Sequence, residues 1–314
     1  MQFDKLATTV EEQAALLLSR GLVCEDPERL KLYLGTIGYY RLGAYWLPFE
    51  NLPKEGVTRS KKFIAGTHLD DILNIYIFDR KLRLLVMEAL ERIEVNVRSR
   101  WTNRMTLEYG SHAHLDIDLF SDTWLYHSRV ARLARGVEES KETFHVHYKA
   151  KYTSPFLPPL WAVCETMTFG ELSKWVSKTK DSKISRHVAR NLGLPTKEVF
   201  EGVLHVLCYV RNICAHHNRL WNRKLVKRLP NIKRFRNDII LEAQTDLSSS
   251  KNQPDNRMYN VLTIILIMIN HQNTRTSYPN RLIELIETTS ESQQIAMGFP
   301  KDWRTRPAWV LHDK

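Results

Sequence analysis

An apolar stripe with helical spacing, from residue 69 to residue 101, is the strongest constraint that the sequence places on the fold. Apolar side chains recur every three or four residues along it, at Leu69, Ile72, Tyr76, Leu82, Val86, Leu90, Ile93, Val97 and Trp101. We predict one long helix that begins after a capping sequence at Thr67 and ends near Gly110. A break near Asp79 and Arg80, where the stripe lapses, stays open. Such a helix needs other helices to cover its apolar face, so the pattern favours a bundle.

Helical signals also dominate the rest of the chain, and no stretch alternates in the period-two pattern of a half-buried strand. Start and stop residues predict shorter helices at Thr9 to Gly21, Asp26 to Gly35, Tyr39 to Trp46, Thr123 to Arg135, Leu160 to Met167, Gly170 to Thr179, Ser182 to Leu192, Thr196 to about His217, Met258 to Asn270 and Pro279 to Thr288. The predicted fold class is all-α. Polar segments at residues 51–60 and 247–255 suggest an N-terminal helical segment (1–60), a helical core (61–246) and a C-terminal helical extension (247–314).

The charge balance indicates a polyanionic partner. The chain has 46 Lys and Arg against 35 Asp and Glu, a formal charge of +11, and RNA is the leading candidate partner. A basic surface that only confers solubility is the alternative. Between residues 219 and 236 there are basic residues and no acidic ones: Arg219, Arg223, Lys224, Lys227, Arg228, Lys233, Arg234 and Arg236. We predict that this basic run binds an RNA backbone.

No membrane segment, metal or cofactor is expected. The longest apolar stretch, Val261 to Ile269, is shorter than the roughly 20 residues that a bilayer span needs. No secretory signal opens the chain, so we expect a cytoplasmic protein. The cysteines form no C-x-x-C pair and are expected to be reduced: Cys24, Cys164, Cys208 and Cys214. Two histidine pairs are expected at the surface: His112 with His114, and His145 with His147.

One segment, Arg211 to His217 (RNICAHH), combines residue types that suit phosphodiester cleavage. RNA carries its own nucleophile, the 2′-hydroxyl, so cleavage needs only proton transfer and stabilisation of charge. We predict that His216 transfers a proton and that Arg211 stabilises the phosphorane oxygens. Asn212 lies one helical turn before His216 and is predicted to orient the substrate or the imidazole. This chemistry requires no metal.

The same residues carry a family resemblance. Arg211 to His216 has the R-N-x-x-x-H form of the R-x(4–6)-H signature of HEPN-domain RNases. Together with residues 37–49 (IGYYRLGAYWLPF), 78–98, 160–175 and 211–222, it makes the chain resemble the Abi-like family of the AbiD/AbiF type. The resemblance implies a HEPN-like helical bundle with N-terminal and C-terminal helical extensions. It also implies a metal-independent endoribonuclease toxin of an abortive-infection, anti-phage system.

Two partners follow from the resemblance. HEPN catalysis in the family generally uses two facing motifs, and this chain has one convincing copy, so the resemblance implies a homodimer that supplies the second. Family members tied to small RNAs in pairs like those of toxins and antitoxins make a structured non-coding RNA antitoxin a further expected partner.

Other residues are weaker candidates. Tyr39, Tyr40 and Arg41 are predicted to stack on bases and bind phosphate, with packing in the core as the alternative. Three further side chains are predicted to contact the catalytic residues and help to position them, without touching the substrate: Glu94, Glu165 and His217. For Glu94 the alternative is an ordinary network within the long helix, shared with Glu91 and Arg98.

Two further functions compete with the nuclease. One is a non-catalytic HEPN protein that binds a structured regulatory RNA, and the other is a helical adaptor for another defence protein. His216 separates the first from an enzyme, because an enzyme needs its imidazole for chemistry and a binder needs it at most for contact. The adaptor function gives no role to the positive charges of the basic run.

Overall fold

The computed structural model describes residues 6–51, 60–242, 253–272 and 275–310. Within these residues the chain forms thirteen α-helices, short 3-10 turns and no β-strand, which confirms the predicted all-α fold class. The helices are α1 (Val10–Ser19), α2 (Pro27–Ile37), α3 (Tyr39–Trp46), α4 (Leu69–Tyr109), α5 (Thr123–Glu139), α6 (Thr143–Lys151), α7 (Leu160–Val163), α8 (Phe169–Lys178), α9 (Ser182–Asn191), α10 (Lys197–Ala215), α11 (Met258–Gln272), α12 (Tyr278–Glu287) and α13 (Glu291–Ala296).

The predicted long helix is one continuous helix, α4, of 41 residues. Nearly all of its apolar stripe is buried. Asp79, where the stripe lapses, is also buried, and it accepts a 2.6 Å hydrogen bond from the Tyr45 hydroxyl. A paired carboxylate thus replaces an apolar side chain without interrupting the helix. α4 does not begin at the predicted Thr67 cap. It begins at Leu69, and the His68 N–H just before it donates to the Asp71 carboxylate at 2.8 Å.

Packing divides the chain into two compact units, Met1–Lys81 and Leu82–Lys314. The division at residues 60 and 246 that we drew from the sequence stays a prediction. Residues 52–59 of the predicted polar loop and residues 247–252 of the predicted linker lie outside the described residues.

The first two helices of the first unit begin at the capping residues that the sequence indicated. The Thr9 hydroxyl accepts from the Glu12 N–H at 3.2 Å, and the Glu12 carboxylate accepts from the Thr9 N–H at 2.8 Å, which completes a capping box at α1. α2 begins at Pro27 but continues through Gly35 to Ile37, so the predicted end at Gly35 was wrong. It ends instead at Gly38, whose φ of 91° glycine adopts easily.

The core of the second unit includes α10 and α11. α10 packs against α8 and α9, and α11 is buried around most of its circumference. Trp309 joins the end of the chain to α11, because its indole N–H donates to the Thr263 hydroxyl at 2.9 Å and its ring stacks on Tyr259. The residues after α12 therefore belong to the same packed unit as the catalytic candidates on α10.

Several short elements differ from the predictions. α6 and α13 were not predicted, and α5 continues four residues beyond the predicted end, to Glu139. α7 ends at Val163 and the chain continues as a 3-10 turn over Cys164–Thr166, where we predicted helix to Met167. Among the described residues, none of the helices combines the length and apolar character that crossing a bilayer requires.

Candidate functional site

Helix α10 holds the residues of the predicted catalytic segment. It starts after Thr196, whose hydroxyl accepts from the Val199 N–H at 3.2 Å, as predicted. Its apolar face is buried throughout, at Phe200, Val203, Leu204, Val206, Leu207, Val210 and Ile213. Burial of this face fixes the rotation of the helix, and with it the directions in which Arg211 and Asn212 project.

The C-terminal end of α10 is a complete Schellman motif. The His217 N–H donates to the Cys214 carbonyl and the Asn218 N–H donates to the Ile213 carbonyl, each at 3.0 Å. His217 occupies the position where glycine is usual, with a φ of 55°. The side chains of His216 and His217 are both exposed. The motif thus ends the helix abruptly and presents two adjacent imidazoles to solvent.

Arg211 lies between solvent and Glu94, a half-buried acidic residue of α4. Its side chain is half-buried, and its guanidinium makes a long 3.5 Å hydrogen bond to the Asn212 side-chain oxygen. Burial raises the pKa of Glu94, and it raises the pKa of the Cys208 thiol to about 12; the positive charge of Arg211 opposes both increases. Arg211 therefore lies close to α4, and Asn212 is exposed beside it.

Arg98 of α4 connects the two acidic residues that were predicted to support the site. It donates to the Glu94 carboxylate at 2.7 Å and to the Met167 carbonyl at 2.9 Å, and it lies 3.6 Å from the Glu165 carboxylate. Burial raises the pKa of Glu94, while the charges of Arg98 and Arg211 lower it. Glu94 thus belongs both to the network within α4 and to the surroundings of Arg211, and its role in supporting the catalytic residues stays a prediction.

The basic run lies along α10. The ring of Pro230 packs against Gly202, where an added Cβ would lie 3.1 Å from the proline Cγ. The charge of Lys227 contributes to the lowered pKa of His205, after the larger effect of burial. Apolar residues of the run are buried between the basic ones, at Leu225, Leu229, Ile232 and Phe235. The run is therefore an anchored segment with a basic outer surface.

The five predicted RNA-binding residues of this run differ in accessibility. Lys224 and Lys227 are exposed, whereas Arg219 and Arg223 are half-buried and the Arg223 guanidinium donates to the Arg219 carbonyl at 3.1 Å. Arg228 forms a 2.7 Å ion pair with Glu242, an acidic residue beyond the run. The two lysines are consequently the members whose charge is most available to a phosphate.

Tyr39, Tyr40 and Arg41 belong to the first compact unit. The Tyr39 hydroxyl accepts from Arg20 at 2.9 Å, and its ring packs edge-on against Trp46. Tyr40 is 89% exposed, and Arg41 is exposed as well. Tyr40 and Arg41 therefore have the accessibility that base stacking and phosphate binding require, while Tyr39 serves packing.

The expectation that both histidine pairs lie at the surface was wrong for His114 and His145. His114 is completely buried, and burial lowers its pKa to about 4. His145 is buried and makes ring-nitrogen hydrogen bonds to the Ser140 hydroxyl at 2.7 Å and the Ala162 carbonyl at 3.2 Å. His112 is half-buried and His147 is exposed.

Comparison with known proteins identifies the family. A family model for Abi-like proteins matches residues 32–222, more than half of the chain. The chain belongs to the Abi-like protein family. The four sequence segments that carried the resemblance all lie within the matched residues, as do Arg211, His216 and Glu94. Searches of curated proteins and of solved structures give no significant match.

The matched residues define which parts of this Abi-like protein the family accounts for. They include α3 to α10 and end at Asn222, just after the Schellman motif. The exposed lysines Lys224 and Lys227 and the helices α11 to α13 lie beyond them. Family membership supports a role in abortive-infection defence.

Proposed function

We propose that this Abi-like protein is an endoribonuclease toxin of an abortive-infection system, with Arg211 and His216 as its catalytic residues. The observation that carries the proposal is the exposed His216 imidazole, five residues after Arg211, at a helix end within the family match. Five helical residues correspond to about 140° around the axis and about 7.5 Å along it. The long arginine side chain can span that separation, so both groups can reach one phosphodiester.

The proposed reaction is transesterification within the RNA. The 2′-hydroxyl oxygen attacks the adjacent phosphorus and loses its proton to a base, while the bond to the 5′-oxygen breaks and that oxygen gains a proton. The products are a 2′,3′-cyclic phosphate and a 5′-hydroxyl. His216 performs one of the two proton transfers, and the Arg211 guanidinium stabilises the charge on the phosphorane oxygens. Asn212 orients the bound strand beside them.

A homodimer completes this proposal. One imidazole performs one proton transfer at a time, and a second chain would bring a second Arg211 and His216 pair to a shared cleft. The sequence contains the R-N-x-x-x-H form of the motif once, at Arg211 to His216. Light scattering combined with a cleavage assay tests this step: we expect a dimer that is active and a monomeric variant that is not. A monomer that cuts RNA at the full rate would contradict the shared cleft.

The test of catalysis compares His216→Ala with His147→Ala. His147 is an exposed histidine on α6, so the control makes the same chemical change on another part of the surface. In EDTA, the wild-type protein and His147→Ala should cleave RNA. His216→Ala should be at least about 100-fold slower, which is the lower range of a general acid–base contribution. Equal rates for the two variants would exclude His216 from catalysis.

The second candidate function is a non-catalytic protein that holds a structured regulatory RNA, favoured by the exposed cations Lys224 and Lys227. Under this alternative the wild-type protein binds RNA without cutting it, and His216→Ala binds with the same affinity. Lys224→Glu/Lys227→Glu should weaken binding under both functions, so cleavage by the wild-type protein is the measurement that decides between them.

A further inference from the structure

A second basic surface lies on α4, on a side of the helix that the predicted site does not use. A cavity of about 640 Å³ is bordered by Arg92, Arg100 and Arg104 of α4, by His187 of α9 and by Gln272 at the end of α11. Polar side chains of α4, including Asn96 and Asn103, lie between the arginines. None of these residues belongs to the sets predicted from the sequence.

The charge of this cleft is not balanced by nearby carboxylates. Its one acidic lining residue is Glu91, which is exposed. In the part of the chain that the structure describes, no carboxylate forms an ion pair with the cleft arginines. Burial lowers the pKa of His187, and the charges of Arg104, Arg100 and Arg190 lower it further. The positive charges at the cavity and around His187 thus have little negative charge to balance them. They belong to Arg92, Arg100, Arg104 and Arg190.

Neutral groups hold two of these arginines in place. Arg100 donates to the side-chain oxygens of Asn96 at 2.9 Å and Asn191 at 3.0 Å, and Arg92 donates to the Thr276 hydroxyl at 2.9 Å. Amide and hydroxyl acceptors fix a guanidinium without cancelling its charge. These contacts therefore hold the guanidinium groups of Arg92 and Arg100 in position and leave their positive charges uncompensated.

Two donors at the cleft have no acceptor within the described residues. Arg104 Nε and Gln272 Nε2 are shielded from solvent and lack a hydrogen-bond partner there. Buried donors are nearly always paired in folded proteins, so each unpaired donor needs an explanation. An anionic ligand with several oxygens would supply the missing negative charge and would accept hydrogen bonds from arginine N–H groups at the cavity.

We propose that the cleft between α4 and α9 binds phosphate groups of an RNA strand, at a site separate from Arg211 and His216. The arrangement of the arginines favours a strand over a single phosphate. Along α4, Arg92 and Arg100 are about 12 Å apart and Arg100 and Arg104 about 6 Å apart. A row of this length matches a polyanion that carries several phosphates. The identity of the polyanion as RNA rests on the proposed function.

The test measures binding of a 2′-O-methyl RNA, which has no free 2′-hydroxyl to attack, so that cleavage does not enter the result. Arg100→Gln/Arg104→Gln is compared with Arg132→Gln/Arg135→Gln, which removes the same charge from exposed positions on α5. The cleft variant should bind at least about tenfold more weakly. The slope of log K against log salt concentration should become about 1.4 less steep, because two phosphate contacts on a single strand are lost. The α5 control should keep nearly the wild-type affinity.

A third variant keeps the test decisive if the cleft arginines prove necessary for folding. Asn103 is exposed at the cleft, and Asn103→Glu adds a negative charge there without removing an arginine contact. This variant should also weaken binding. Equal losses in the cleft and α5 variants would mean diffuse attraction by net charge, and unchanged binding in Asn103→Glu would place the strand elsewhere; both outcomes overturn the proposal.

Two further arms separate the possible outcomes. In the first, AMP and inorganic phosphate are titrated into the complex of the protein with the same RNA. If either displaces the RNA with an affinity equal to that of the strand, the cleft is a mononucleotide or phosphate site instead. Cleavage by the cleft variants is measured separately. A wild-type protein that never cuts RNA but loses binding through the cleft variants would reject the nuclease and keep this inference; the reverse pattern would reject this inference alone.

Discussion

Replacement of Arg98 by methionine tests whether Glu94 is held as a largely buried charge. The two side chains are 12% and 14% exposed and their charged atoms are 2.7 Å apart. Removing one member of a buried ion pair costs about 3–5 kcal/mol, because the other charge stays buried without its partner. Arg211 still acts on Glu94, so we expect the lower end, a loss of about 3 kcal/mol in unfolding free energy at pH 7.

The stability loss of Arg98→Met should depend on pH in a direction that the pKa of Glu94 determines. Burial already raises the pKa of Glu94 above 4.5, and loss of Arg98 removes a charge that lowers it. A carboxyl group whose pKa is higher in the folded state favours folding below its unfolded pKa, and this contribution is lost as the pH rises through the folded value. The destabilisation of Arg98→Met should therefore be largest at pH 7 and shrink as the pH falls towards 4.5.

Urea unfolding followed by circular dichroism measures both effects. Arg98→Met/Glu94→Gln should recover to within about 1 kcal/mol of the wild type, because replacing both members of a buried pair is often nearly neutral. Arg132→Met, which removes an exposed arginine 3.9 Å from the half-buried Glu171, should change stability by less than about 1 kcal/mol. A loss at Arg98 that is equally small, or one that does not vary with pH, would refute the buried-charge reasoning.

Two backbone positions give further predictions. Gly193→Ala should destabilise the protein by about 1–2 kcal/mol in urea unfolding, since φ is 76° there and the new Cβ would lie 3.1 Å from His271; no loss would mean that this turn relaxes freely. His217→Val should lower the unfolding free energy by about 1 kcal/mol relative to His217→Asn, because a β-branched residue tolerates a φ of 55° poorly and asparagine tolerates it well. Equal stabilities of these two variants would contradict the left-handed conformation at the end of α10.

Much of the helical fold was predictable because its signals are local. The capping residues Thr9 and Thr196 and the apolar stripe of α4 each mark an element within a few residues. Gly35 misled the prediction of α2, because one glycine inside a helix costs only about 1 kcal/mol and tertiary packing outweighs it. α6 and α13 escaped prediction because helices of nine and six residues show too few turns for a clear period.

The candidate site was predictable only in part, for a related reason. The segment Arg211 to His216 is contiguous, and the spacing of Glu94 and Arg98 indicates a pair one turn apart. The approach of Arg211 to Glu94, and the contact of Arg98 with Met167, depend on tertiary packing between distant segments.

The basic cleft shows the same limit. Arg92, Arg100 and Arg104 lie at spacings of eight and four residues, which is a recognisable face of α4. His187 and Gln272 join them only in the folded chain.

Removal of one 2′-hydroxyl from an RNA substrate tests the central claim most directly. An RNA oligonucleotide that the protein cuts at one mapped bond is compared, in EDTA, with a copy that carries a single 2′-deoxynucleotide on the 5′ side of that bond. We predict that the unmodified RNA yields a 2′,3′-cyclic phosphate and that the deoxy copy binds equally well but stays uncut at that bond. Cleavage of the deoxy copy at the same rate would contradict an RNA-supplied nucleophile and the roles proposed for Arg211 and His216.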